Sequence, residues 1–196
     1  MAGAKIRLGV VKADGNVEQY LYTKVVGTIN NALCAVGQAD TGVAEELADA
    51  VTFFLYHNRK SPNVGSSEIL SVIQVVLSET GYEDAAAALS EHHFERKLKR
   101  CRLEVADVDV RELIDAQAVC GITPAVRRDR WDKSRIVADL VARYRLDRRQ
   151  ARAVASMVEE RIFGMGITLV PSSLIRQLVL ADAAAILNAQ QQLQTT

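Results

Sequence analysis

The sequence predicts a mainly α protein of two related units, a β-hairpin carrying four helices and then a second helical unit. Three observations predict it. Asp14-Gly15 sits between two short β-prone runs, apolar residues recur at helical spacing from Lys24 onward, and segments of the first half return in the second. The hairpin comes first. IRLGVVK and VEQYLY flank Asp14-Gly15, and a tight hairpin turn needs positive φ at its central residues, which Asp-Gly supplies. Val25, Ile29, Leu33 and Val36 then mark one face of a helix that Gly37 can end. A second helix runs from about Thr41 to His57 with Val43, Leu47, Val51 and Phe54 on one face, and RKSPNVG breaks it. Ser66 reads as the N-cap of a third helix bearing Ile69, Ile73, Val76 and Leu77, with Gly81 as its stop. An alanine-rich fourth helix runs from Glu83 to about Arg100.

Beyond Arg100, Asp107 is expected to cap a short helix with Leu113 and Ile114, and GITPAV is a break. WDKSRIVADLVARY reads as a helix with Ile136, Leu140 and Val141 on its apolar face. Asp147 with Gln150 three residues on is a capping box that opens ARAVASMVEERIF, which Gly164 and Gly166 stop. Ser172 opens a last helix toward Leu187. An internal repeat emerges. Lys24 and Lys133 each open a helix, Ala44 to Val51 matches Ala151 to Val158, and SSEIL at 66–70 matches SSLIR at 172–176. The second unit shows no hairpin by sequence, because RRDRW stands where strands would be and no Asp-Gly precedes Lys133. The expected domains are 1–104 and 105–196.

Composition narrows the function classes. A formal net charge of zero gives no global attraction to nucleic acid or an anionic membrane, so any electrostatic role must be local. Cys34, Cys101 and Cys120 are far apart with no CxxC pair, which argues against a zinc ribbon or a redox dithiol. Scattered thiols suit a reducing cytoplasm. No signal peptide or membrane-spanning run is expected, as no apolar stretch approaches the roughly 18 residues a span needs. His57, His92 and His93 lie toward helix ends, and no nucleophile motif or P-loop occurs. No catalytic residue and no metal ligand set is assigned, and the chain is expected not to be an enzyme.

Two residue types invite a phosphate. Lys24, in the first turn of a helix, works against the helix dipole, which favours anions there. A bound anion would turn that conflict into an advantage, since backbone N–H groups and the ammonium would address the same phosphate. The plainer reading is a solvated lysine on an exposed turn. Ser66 is either an ordinary helix cap or a hydroxyl set against the same phosphate.

The order VVKADG, then Glu18, then Lys24 opening a helix, then VGSSEILSVIQVVLSETGYEDAAAAL, resembles the ATP-cone domain. That module is the nucleotide-binding regulatory domain of ribonucleotide reductases and of the repressor of reductase genes. The resemblance covers about residues 5–100 and is carried by order and spacing rather than by any one motif. It implies a pocket between hairpin and helices for ATP or dATP as effector, with Mg2+ able to accompany the phosphates. Val11 and Lys12 would line the base and phosphate side, Glu18 would address the nucleotide, and Lys24 would meet the phosphates. Ser66 would supply a hydroxyl, and Arg96 matches a basic residue after the fourth helix. The sequence departs from the family at Ala13, where an arginine is usual, and methyl cannot grip two phosphate oxygens as a guanidinium does. It departs again at Leu89, Ser90, His92 and His93, which replace an aromatic and basic ending. The second half is similar to the module more faintly.

Residues 127–152 hold ten Lys or Arg against four Asp or Glu. Arg127, Arg128 and Arg130 are therefore candidates for nucleic-acid contact, although only Trp131 and Tyr144 could stack on bases there. The expectation is a nucleotide-binding regulator whose occupancy changes self-association or partner binding, with a link to ribonucleotide reductase implied by the resemblance. A DNA-binding regulator and a scaffold with a silent cone are the alternatives.

Overall fold

The computed structural model describes residues 8–12, 15–58, 61–107 and 127–194. Ala13, Asp14, Leu113, Ile114 and Cys120 lie outside these residues, so the short helix expected after Asp107 and the Ala13 position are not among them. The chain is mainly helical and divides into two compact units, residues 1–95 and 96–196. The division falls within a helix, so the second unit starts before residue 105, the boundary expected from sequence.

In the first unit, β1 (Gly9–Val11) and β2 (Val17–Gln19) form the hairpin, followed by α1 (Tyr22–Ala35), α2 (Thr41–His57), β3 (Asn63–Gly65) and α3 (Ser66–Glu79). α4 (Glu83–Arg102) runs across the division. Gly15 turns the hairpin at φ 76°, as the Asp-Gly pair predicts. β3 was not expected from PNVG. It pairs parallel to β1, giving the order β2-β1-β3. Gly9 leaves room in the middle strand for its neighbours, since a Cβ there would displace the Asn63 side chain and lie 2.8 Å from Val17 Cγ1.

The helices bury most of the faces their periodicity announces, but Phe54 and Val141, expected on those faces, are exposed. Ile29, Leu33, Val51 and Leu77 are at 0% exposure, and Ala44 and Ala48 let α1 and α2 approach closely. Each such aliphatic side chain contributes about 1.5–3 kcal/mol relative to exposure. Gly37 and Gly81 follow α1 and α3 at φ 74° and 86°, where the left-handed backbone stops a helix. Asp40 caps α2 by accepting from the N–H groups of Gly42 and Val43. Ser66 is not the N-cap of α3. Gly65 holds that position with no side-chain cap, and Ser66 is the first helical residue.

The second unit repeats this order. β4 (Glu104–Ala106), β5 (Arg128–Arg130), α5 (Lys133–Tyr144), α6 (Arg148–Gly164), β6 (Leu169–Pro171) and α7 (Ser172–Gln194) follow the end of α4. Its sheet has the order β5-β4-β6, antiparallel then parallel, as in the first unit. The second unit therefore has the paired strands that the sequence did not reveal. RRDRW contains β5, and its partner β4 lies before residues 107–127 rather than across a tight turn. The capping box at Asp147 and Gln150 is present, and Leu140, Val154, Val158, Ile162 and Val170 form a core at 0% exposure.

Candidate functional site

The first unit brings Lys12, Glu18 and Ser66 to its sheet. β1 and β3 run parallel with Val11 opposite Gly65, so the next residues, Lys12 and Ser66, leave the sheet at the same end. Val11 is the last residue of β1 and half-buried. Gly15 N–H donates to the Lys12 carbonyl and Lys12 N–H to the Asn16 carbonyl, both at 2.9 Å, which fixes the lysine at the mouth of the turn. Glu18 lies opposite Val10 on β2, and its Oε2 is 3.9 Å from Lys12 Nζ. Lys24 is the third residue of α1 and exposed, with its N–H donating to Leu21 O at 3.1 Å. It enters beyond the other end of β2, so it is in the helix's first turn as expected but does not flank Lys12 along the strand.

Backbone hydrogen bonds give the correspondence between the units. Tyr20 N–H donates to Leu8 O as Trp131 N–H does to Leu103 O, Gly9 N–H to Pro62 O as Glu104 N–H to Thr168 O, and Lys24 N–H to Leu21 O as Arg135 N–H to Asp132 O. Lys24 therefore corresponds to Arg135, not to Lys133. Lys133 is the first residue of its helix and matches Tyr22. By strand register and helix starts, Lys12, Glu18 and Ser66 correspond to Asp107, Asp129 and Ser172.

These four second-unit residues line one cavity of about 410 Å³. Ser172 Oγ donates to Asp107 Oδ1 at 3.1 Å, and Arg135 Nη1 donates to Asp129 Oδ2 at 3.1 Å. Arg127 Nε is 3.7 Å from the other oxygen of Asp129. Ile136, Ile175 and Val179 supply apolar lining, with Tyr144 beside them.

A second polar centre lies behind that wall. Glu159 on α6 is fully buried. Its oxygens accept from Arg96 Nη2 at 2.7 Å, Arg100 Nε and Nη2 at 2.8 Å, and Trp131 Nε1 at 3.1 Å. Lys133 Nζ is 3.4 Å away and donates to Ser156 Oγ at 2.7 Å. Burial alone would raise the Glu159 carboxyl. The Arg100 hydrogen bonds, with Lys133 and Trp131, outweigh it and hold the pKa at about 2. Burial pulls Lys133 below its usual value, and Arg100 is pushed up by its bond to Glu159. In the first unit Thr52 stands at the position of Glu159, counted from the helix caps Asp40 and Asp147. Tyr20, the counterpart of Trp131, is bonded through its hydroxyl to Thr52 Oγ1 at 2.7 Å.

The sequence reading missed Glu159. Its signal was a carboxylate at an apolar position, between Ala155, Val158 and Ile162, with Arg96 and Arg100 four residues apart upstream. Arg96 belongs to the second unit, where its guanidinium is taken up by Glu159 and Glu160. Of the basic candidates, Arg127 pairs with Asp129 and Arg128 Nη1 lies 3.5 Å from Glu104 Oε2, while Arg130 lines the cavity. Pairing within their own sheet reduces what Arg127 and Arg128 can offer a phosphate backbone. Among the described residues no cluster of three metal-ligating side chains occurs, and no helix is long and apolar enough to cross a membrane. Compared with protein-family models and with curated proteins, the chain matches none.

Proposed function

We propose that the protein is a nucleotide-responsive regulator whose first unit binds ATP or dATP against Val11, Lys12, Glu18, Lys24 and Ser66. One observation carries the reading. In the second unit, the residues at the positions of Lys12, Glu18, Lys24 and Ser66 all line a single cavity, which supports reading the same four positions of the first unit as one site. In the first unit the same positions hold two lysines, one carboxylate and a hydroxyl at a helix start, a set whose cations and hydroxyl suit phosphates and whose carboxylate can accept from a sugar or base. Mg2+ would arrive with the nucleotide.

Regulation requires that the nucleotide favour one of two states. Exposed apolar residues on α2, Phe53 at 64% and Phe54 at 47%, offer area for a second copy or a protein partner whose binding could depend on occupancy. A role close to ribonucleotide reductase rests on the family resemblance.

Calorimetry with ATP, dATP and GTP, together with light scattering, tests the reading. Saturable binding of an adenine nucleotide is expected, weakened roughly tenfold or more by Lys24→Ala and accompanied by a change in mass or in partner binding. No binding at millimolar adenine nucleotide would overturn it.

A further inference from the structure

We propose that the cavity of the second unit is a ligand site in its own right, which takes a small ring compound bearing one phosphate monoester, the mononucleotide class, in preference to a triphosphate. The volume of about 410 Å³ is of ligand size. Its apolar part, Ile136, Ile175 and Val179 with Tyr144, offers aliphatic surface and an aromatic ring to a weakly polar ring of the ligand.

The charges choose the rest of the ligand. Five arginines line the cavity, Arg127, Arg130, Arg135, Arg143 and Arg176, against four aspartates, Asp107, Asp129, Asp132 and Asp139. Each carboxylate already has a task. Asp107 accepts from Ser172 at the start of α7, Asp132 caps α5, Asp139 lies 3.6 Å from Arg143, and Asp129 serves both Arg127 and Arg135. Two guanidiniums on one carboxylate leave donors for a further anion between them. A phosphate monoester brings about −1.5 to −2 charges, which this small cationic excess can hold. A triphosphate would press more charge against four fixed carboxylates. The counterpart of Lys12 is Asp107, and it occupies the helix start where a longer phosphate chain would extend. The second unit thus differs from the first in the ligand charge it accepts.

The test uses the full-length chain carrying Lys24→Ala, so that binding in the first unit is suppressed. Trp131 is the only tryptophan and lines the cavity, so its emission reads occupancy. AMP, GMP, CMP and UMP are titrated beside ATP, adenosine and inorganic phosphate. At least one monophosphate is expected to shift the emission saturably at millimolar or below, with ATP, adenosine and phosphate each about tenfold weaker or more. Arg135→Ala should weaken that monophosphate about tenfold, and Asp129→Asn, which releases two guanidiniums, should tighten it. Circular dichroism confirms that both variants fold, as both substitutions lie at partly or wholly exposed side chains. No response to any of the four monophosphates, ATP binding as tightly as they do, or indifference to both substitutions overturns the proposal. If the proposed ATP site of the first unit is absent but these results hold, this proposal stands without it.

Discussion

Replacing Glu159 by Gln should unfold the second unit well before the first. The carboxylate is at 0% exposure and accepts from two arginines and the indole, with Lys133 close by. An amide of the same shape would remove the buried negative charge that Arg96, Arg100 and Lys133 surround and turn an NH2 toward donors. A pKa held at about 2 against the ordinary 4.5 corresponds to about 3 kcal/mol by linkage. Breaking a buried ion pair by removing one partner costs about 3–5 kcal/mol, which agrees. For a unit of this size that is a fall in melting temperature of roughly 12 °C or more. The assay is urea unfolding followed by the single Trp131, which reports on the second unit alone. The sign with pH follows from the depressed value. This stabilisation is present above the unfolded carboxyl's range, near pH 4.5, and is lost as pH falls toward about 2. The wild-type Trp131 transition should therefore weaken across that window and the Gln variant's should change less. Equal unfolding midpoints at pH 7, with the same pH profile, would refute the reasoning.

Two smaller changes test the first unit and the cap. Tyr20→Phe removes the bond to Thr52 Oγ1 while keeping the ring, and should cost about 1 kcal/mol with Thr52 still satisfied by the Ala48 carbonyl. Thermal melting by circular dichroism reads it, with the Trp131 transition unchanged. Asp147→Ala removes the carboxylate that accepts from the Arg149 and Gln150 N–H groups, leaving only the Gln150 side chain on the backbone N–H of residue 147, and should cost about 1 kcal/mol, lowering the Trp131 midpoint and leaving the first unit's transition in place.

The helices were legible because each one has an apolar stripe of period 3.6 bounded by residues with a local physical effect. Gly37 and Gly81 take the left-handed backbone, and Asp147 with Gln150 satisfies the free N–H groups. The first hairpin was legible for the same reason, through Asp-Gly. β3, β4, β5 and β6 were not. Each is three residues long, too short for alternation to register. Arg128 and Arg130 flank Asp129 with no apolar residue among them. What makes these strands is pairing with distant residues, such as Val105 with both Asp129 and Val170, and such pairing leaves no mark within the segment. Ser66 was misread because Ser before a helical stripe fits a cap or the first turn equally well. The register of the repeat slipped by two at Lys133 because a lysine is no anchor, whereas the backbone bond to the residue three before fixes Arg135. Glu159 was hidden because its partners Arg96, Arg100 and Trp131 are far away in sequence.

The parallel strand that closes each sheet has a consequence for folding kinetics. β1 can pair with β2 at once, across a turn of a few residues, but its other edge waits for β3, which the chain delivers only after α1 and α2. The helix pair must therefore form and turn back before the third strand has anything to join, and the entropy of closing that long loop falls on the rate. In the second unit even the antiparallel pair is distant, since residues 107–127 separate its two strands. Neither edge of β4 has a local partner, so its sheet is assembled entirely from long-range encounters. The second unit should consequently refold more slowly than the first, although the two share one architecture.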